Sequence, residues 1–266
     1  YDISIFLNKL LYKWKKKKQQ WWHKKLEKPK FIANISKIIK AEDLTTGNYT
    51  SKYEADICKF LNVKFSIAVS SGSMGTLLAF LALDINHGDE IIIPNIGWIS
   101  VINACKIIGA VPIIVDVEKN RPIIDTSKIE DAITKKTKII FPIYMNGRSA
   151  NIKKLKRICK KNKIFLVEDA AQAFGIKLNN KFLGTHGDIG IFSTSSTKMI
   201  TTGLGGFLVT NNKKLAKKIY DMRRHGFSNI QNIDAWDKFG GNFQISSIQS
   251  AMGIEQLKTL NNKLNI

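Results

Sequence analysis

Cysteine, histidine, long apolar runs and acidic side chains are all scarce in this chain, and each scarcity narrows what it can be. The three cysteines among 266 residues, Cys58, Cys105 and Cys159, are too few and too far apart for a disulfide framework or a metal knuckle. A reducing, cytoplasmic setting is the simplest reading. The four histidines, His23, His87, His186 and His225, are nowhere paired at ligand spacing, which speaks against a structural zinc site. Apolar stretches such as IIIP, VPIIVDV and KIIFPIYM fall far short of the ~20 residues that a bilayer-spanning helix needs. Acidic residues number 21 against 42 Lys+Arg, for a net charge of +21. Such an excess invites a nucleic-acid or membrane partner, but its distribution weakens that reading. Much of it lies in the first forty residues, around YKWKKKKQQWWHKKLEKPK, and the rest is spread along a Lys-, Ile- and Asn-rich chain. Trp14, Trp21 and Trp22 interleave with those N-terminal lysines, as on an interfacial or RNA-facing helix, or on a linker helix whose tryptophans pack against the main domain. Membrane contact by this segment stays open; nucleic acid is not an expected partner.

After Pro29 the texture changes to alternating apolar runs and amphipathic stretches. The expected division is a basic extension or linker helix over residues 1–35 and a large domain over 36–266. SIAVSSGSMGTLLAFLALDI reads as a strand, a Gly/Ser turn and a helix, and EIIIP as the next strand. WISVINACKIIGA is predicted helical, VPIIVDV extended, and DTSKIEDAIT a helix capped by Asp125 or Thr126. The alternation continues through TKIIFPIYM, IKKLKRICKKNK, IFLVEDAAQAFG, IGIFSTSS, GGFLVTN and NKKLAKKIYDMRRHG. Strands this uniformly apolar are buried on both faces, so the fold class is α/β, a mainly parallel mixed sheet flanked by helices on both faces. The chain opens on Tyr1 and stops just after a helix-like pattern, as a piece of a longer protein would.

Ligands of such sheets sit at the carboxyl ends of the strands. The polar residues there are Ser70 to Gly75 after the first strand, Pro94 to Trp98 after the second, Glu168 to Gln172 after IFLV, and Ser193 with Lys198 after IGIF. Gly72 and Ser73 open a helix, whose N-terminal amides form a seat for phosphate or simply a cap. The segment SSGSMG is neither a Walker sequence nor G-x-G-x-x-G. Trp98 is either a plate for a planar ring or a core aromatic. Asp169, at the end of an apolar strand, needs a partner to stay charged. A protonated ring nitrogen would serve, and so would a helix amide. Lys198 in STSSTKMITTGLGG can become an imine-forming amine where burial strips its proton. Lysine, acid, ring plate and phosphate seat together are the requirements of a pyridoxal phosphate enzyme.

From about Leu44 to Leu260 the chain resembles the DegT/StrS family of sugar aminotransferases, pyridoxal phosphate enzymes of the aspartate aminotransferase fold. The resemblance rests on LTTGNYTSKYEADICKFLNV, AVSSGSMGTLLAFLAL, GDEIIIPNIGWISVINACKIIGAVPIIVDV, VEDAAQAFG, GDIGIFSTSSTKMITTGLGG and GGNFQISSIQSAMGIEQLKTL. It implies that Lys198 forms the internal aldimine and shuttles the proton, and that Asp169 keeps the pyridine nitrogen protonated. It further implies that Trp98 stacks on the ring, Gln172 bonds near the phenolic oxygen and phosphate, and Gly72, Ser73 and Ser193 hold the phosphate. Asn242 of GGNFQIS matches an asparagine that reaches the phosphate of the neighbouring subunit, so a homodimer with shared sites is implied. The implied substrates are a nucleotide-linked keto sugar and an amino donor, glutamate. Lysine at 198 implies transamination, since the dehydratases of this fold carry histidine there. Arg223, Arg224 and His225 form either a diphosphate-attracting patch or a solvated helix end. Leu204 departs from the family's usual glutamate, and Phe243 and Gln244 from its usual Tyr-Arg. The family's small C-terminal domain is expected beyond this sequence. Two alternatives stand beside this reading: a family member without catalysis that serves as a scaffold, and a binding protein dominated by the basic N-terminus.

Overall fold

The computed structural model describes residues 28–227 and 239–264. Trp14, Trp21, Trp22 and most of the basic run therefore lie outside the described residues. The first described helix, α1 (Lys28–Lys40), runs through residue 35. Next come α2 (Asn48–Leu61), β1 (Phe65–Val69), α3 (Gly72–Ala82), β2 (Glu90–Pro94), α4 (Ser100–Ile108) and β3 (Val111–Val115). The chain continues through β4 (Thr137–Ile140), α5 (Ile152–Asn162) and β5 (Phe165–Asp169), then the short pair β6 (Lys177–Leu178) and β7 (Lys181–Phe182). It closes with β8 (Ile189–Ser193), β9 (Gly206–Thr210), α6 (Lys213–Arg223), α7 (Ser247–Lys258) and α8 (Leu260–Leu264).

Seven strands form the main sheet in the order β1-β9-β8-β5-β4-β2-β3. From β8 to β3 all neighbours pair parallel, while β9 lies antiparallel between β1 and β8. The expected mainly parallel sheet is thus present, with one strand reversed. Because β9 alone runs backwards, its amino end meets the carboxyl ends of the others, and the residues that enter it share their edge.

Helices cover both faces. On one, Leu77, Leu78 and Phe80 of α3 pack with Ala104 and Cys105 of α4, Ile219 of α6, and Ile91, Val167 and Leu208 of the sheet. On the other, Tyr53 and Ile57 of α2 and Ile254 of α7 pack on Ala68, Phe192 and Phe207, while Leu155 and Ile158 of α5 pack on Ile92, Ile140 and Leu166. Helix α5 shows how composition selects its face: Ile152, Leu155, Ile158 and Cys159 turn inward, and its lysines point to water at the intervening positions. The helix starts where Asn151 accepts from the Lys154 amide at 3.1 Å. Similar side-chain caps begin α3 at Ser71, α6 at Asn212 and α7 at Ser246.

One predicted helix is replaced. Residues 125–134 form turns and a single 3-10 turn, Glu130–Ala132. Asp125 Oδ1 accepts from the Ser127 amide at 2.9 Å and from Ser127 Oγ at 2.6 Å, a local turn that competes with helix formation. Ile123, Ile124 and Ile129 are then buried together, a spacing no single helix face provides. Among the described residues, no helix is long and apolar enough to cross a membrane, and no group of three or more His, Cys, Asp and Glu could hold a metal ion.

Candidate functional site

A cavity of about 340 Å³ opens at the carboxyl edge of the sheet. Its wall gathers Ser71, Gly72 and Ser73 at the start of α3, Trp98 and Ser100 after β2, and Ile143 and Tyr144 after β4. Asp169, Ala171 and Gln172 follow from β5, Ser193, Ser195, Thr197 and Lys198 from β8, and Leu204 and Gly205 precede β9. Of the residues singled out from sequence, Gly72, Ser73, Trp98, Asp169, Gln172, Ser193 and Lys198 all face this one space.

The local geometry follows from short contacts. Ser71 Oγ accepts from the Met74 amide at 3.1 Å, so the amides of Gly72 and Ser73, which have no carbonyl of their own helix to bond, face the cavity as the positive end of α3. A Cβ added to Gly72 would lie 3.0 Å from Ser193 Cβ; a bare backbone at 72 lets this turn press directly on the end of β8. At Gly97 an added Cβ would lie 2.3 Å from Ile143 Cδ1, and this close approach seats the loop that presents Trp98. The indole is 70% exposed and lines the cavity, so it is not a core aromatic.

Asp169 lies deep in the protein with part of its surface on the cavity. Its main chain is fixed by bonds to Pro142 and Tyr144, each 3.0 Å, and its Oδ1 accepts from the Ala171 amide at 2.9 Å. Burial raises its carboxyl above the ordinary value, opposed by the Ala171 amide and by the charge of Lys198. Conversely, burial lowers the pKa of the half-buried Lys198, and Asp169 counteracts it. The two groups therefore sit within electrostatic reach on one wall. Gln172 is held by its Oε1, which accepts from the Asn146 amide at 3.0 Å.

Other strand-end residues go elsewhere. Alternation along β5 sends Glu168 to the opposite face from Asp169, where its buried carboxylate accepts from Tyr144 Oη at 2.6 Å and from the Gly184 and Gly187 amides. Asn95 donates to Asp116. Asn242 is exposed and outside the cavity; it pairs with Arg224 through a single β-bridge, and its Oδ1 accepts from Gln244. Arg223 is neither a substrate-attracting patch nor solvated. It is 1% exposed, ion-paired with Glu54 and bonded to the Ala68 carbonyl at 2.9 Å. Ile143 and Tyr144 were not singled out from sequence, because KIIFPIYM reads as one apolar run; the strand in fact ends at Ile140, which makes them strand-end residues.

A model of the DegT/DnrJ/EryC1/StrS aminotransferase family matches residues 25–265. The GDP-perosamine synthase of Escherichia coli O157:H7 is 37% identical over 212 residues, 80% of this chain and 58% of that protein. The chain thus spans less than two thirds of that relative's length. Among solved structures, the E. coli GDP-4-keto-6-deoxy-D-mannose-3-dehydratase with bound hydrated PLP superposes with a TM-score of 0.84 at 28% identity, over 91% of this chain and 68% of the other. The Helicobacter pylori aminotransferase PseC, involved in the biosynthesis of pseudoaminic acid, gives 0.83 at 28% identity, over 88% and 63%.

Proposed function

Since this chain belongs to the DegT/DnrJ/EryC1/StrS aminotransferase family, we propose that it transfers an amino group from glutamate to a nucleotide-linked keto sugar, with pyridoxal phosphate as cofactor. A cytoplasmic homodimer with shared sites belongs to the same proposal. The observation that carries it is the meeting of Lys198 and Asp169 on one cavity wall with the N-terminus of α3, where Gly72 and Ser73 follow the Ser71 cap. Lysine in place of histidine at 198 favours transfer over dehydration. A scaffold without catalysis is not favoured, because it has no use for this assembly.

The donor set fits the cofactor. The amides of Gly72 and Ser73 and the Ser193 hydroxyl would hold a phosphate, Trp98 would cover one face of a ring, and Asp169 is a buried carboxylate of the kind a ring N–H requires. When bound, pyridoxal phosphate supplies a carbonyl that condenses with amines and a ring that withdraws electrons. Burial of Lys198 Nζ lowers the pH at which its amine loses its proton, so the same atom can react as an amine and later take up and return a proton. Burial disfavours the charged form of Asp169, and a protonated ring nitrogen beside it would offset that cost, so the carboxylate would keep the proton in place on the ring. Gln172, already fixed through Asn146, would bond near the phenolic oxygen and phosphate. Asn242, exposed beyond its own cavity, is suited to reach the phosphate of a second copy.

The test is to add pyridoxal phosphate, reduce with borohydride and locate the adduct by peptide mass. Adduct on Lys198, followed by turnover of a nucleotide keto sugar with glutamate, is the expected result. Folded protein with no adduct at Lys198 would sink the proposal.

A further inference from the structure

The loop that carries Lys198 leaves β8 at Ser193 and rejoins the sheet at Gly206, and its two ends are tied together at a neck. The Thr194 amide donates to the Gly205 carbonyl at 2.9 Å, and the Thr202 amide to the Thr194 carbonyl at 2.8 Å. At the same neck the Thr194 and Thr202 hydroxyl oxygens are 2.7 Å apart, and both residues are buried. Thr202 Oγ1 donates onward to the Leu204 carbonyl at 2.7 Å. Its single proton is thereby used, so Thr194 supplies the proton between the two hydroxyls. The Leu204 carbonyl also accepts from Gln249 Nε2 at 2.7 Å, and Gln249 completes the capping box that opens α7. The chain of bonds thus runs from Thr194 through Thr202 and Leu204 to a fixed helix end.

We propose that the Thr194–Thr202 hydroxyl pair is a positioning device that holds this neck closed and thereby fixes Lys198 on the cavity wall. The proposal rests on the reading of Lys198 as the reacting amine. Lys198 lies midway between the two threonines in sequence, so any opening of the neck moves it. Gly205 completes the device: an added Cβ would lie 2.3 Å from Thr202 Oγ1 and 2.6 Å from Thr194 Oγ1, so only a bare backbone lets the hydroxyls close over it. Leu204 takes part through its carbonyl alone. Its side chain, 67% exposed at the cavity mouth, takes no part in the neck's hydrogen bonds, so the neck does not depend on which side chain stands at 204.

The experiment compares wild type with Thr202→Val, Thr194→Val and Thr202→Ser. Peptide-resolved acetylation across a pH series reads the titration of Lys198 without cofactor, and thermal melting checks folding. Each valine keeps the shape of threonine but removes the hydroxyl. The expected result is that the valine variants fold, with the Lys198 midpoint raised by about half a pH unit or more, roughly a threefold loss of unprotonated amine at a fixed lower pH. Thr202→Ser, which keeps the hydroxyl, should titrate as wild type. Folded valine variants that titrate as wild type would overturn the proposal. So would a serine variant that shifts as far as valine, since packing and not the hydroxyl would then be responsible. Should neither valine variant fold while serine does, the pair is a folding element, and the positioning role is lost. Absence of a borohydride-fixed adduct on wild-type Lys198 defeats the aminotransferase reading instead, and the acetylation series still reads the neck.

Discussion

Lys198 and Asp169 shift each other's ionisation in opposite senses, which gives a test at the scale of two side chains. Burial is the larger influence on each, lowering the lysine and raising the aspartate, while their mutual attraction works against both shifts. Replacing Asp169 by Asn removes the negative neighbour but leaves the burial. Lys198 should then lose its proton at still lower pH, so its peptide-resolved acetylation midpoint moves down. In the proposed reaction the same variant loses the group that holds the ring proton, and amino transfer should fall by about 10²-fold or more, as when a preorganised charge is removed. Faster acetylation together with slower transfer is the expected signature. An acetylation midpoint that moved up would mean that Asp169 does not act on Lys198 through charge. These two residues were legible in sequence because each follows an apolar strand, where a polar side chain needs a reason. Glu168 occupies the neighbouring position, yet the pleat turns it to a structural task beneath Tyr144 and the Gly184–Gly187 turn.

Between elements, two of the contacts that hold α2 were not visible in the sequence. Glu54 of α2 accepts from the Ala68 amide at 2.8 Å and pairs with Arg223 at the end of α6, tying two helices to β1. Removing one partner of a buried pair strands the other charge, so Glu54→Ala should cost about 3–5 kcal/mol in urea denaturation. A cost below about 1 kcal/mol would show that the pair is dispensable. Tyr53 packs against Gly253 of α7, where an added Cβ would lie 2.4 Å from the tyrosine ring. Gly253→Ala should therefore lose about 1–3 kcal/mol by overpacking, while the Lys198 adduct still forms below the melting temperature. An equal loss of adduct and stability would instead connect this contact to the site. The strands were legible because burial on both faces leaves unbroken Ile, Val, Leu and Phe runs. Arg223 was not, because nothing in MRRHG records that an acid on a distant helix lies beneath it. The 125–134 segment misled for a related reason: its charged and apolar spacing resembles a helix, but Asp125 spends its carboxylate on Ser127.

For the whole molecule the open question is whether one copy makes a complete site. The expected phosphate-reaching residue, Asn242, is exposed and outside its own cavity, while Trp98 and Leu204, 70% and 67% exposed, both line the cavity and present apolar surface at its mouth. Apolar surface gathered at a site entrance favours a covering partner, and a two-fold interface would place the same groups on both copies. If Asn242 acts across that interface, two separately inactive chains should repair each other. In a mixed dimer of Lys198→Ala and Asn242→Ala, one site carries both defects and the other carries neither. Random exchange in an equal mixture makes half of the dimers mixed, so about a quarter of wild-type amino transfer should return. Lys198→Ala homodimers lack the amine and Asn242→Ala homodimers lack the phosphate contact, so neither contributes to the recovery. Were Asn242 to act within its own chain, every site would keep at least one defect and mixing would restore nothing. Native mass spectrometry of the same mixture, with one of the two chains isotope-labelled, separates that outcome from a failure to exchange, since recovery is meaningful only where mixed dimers have formed.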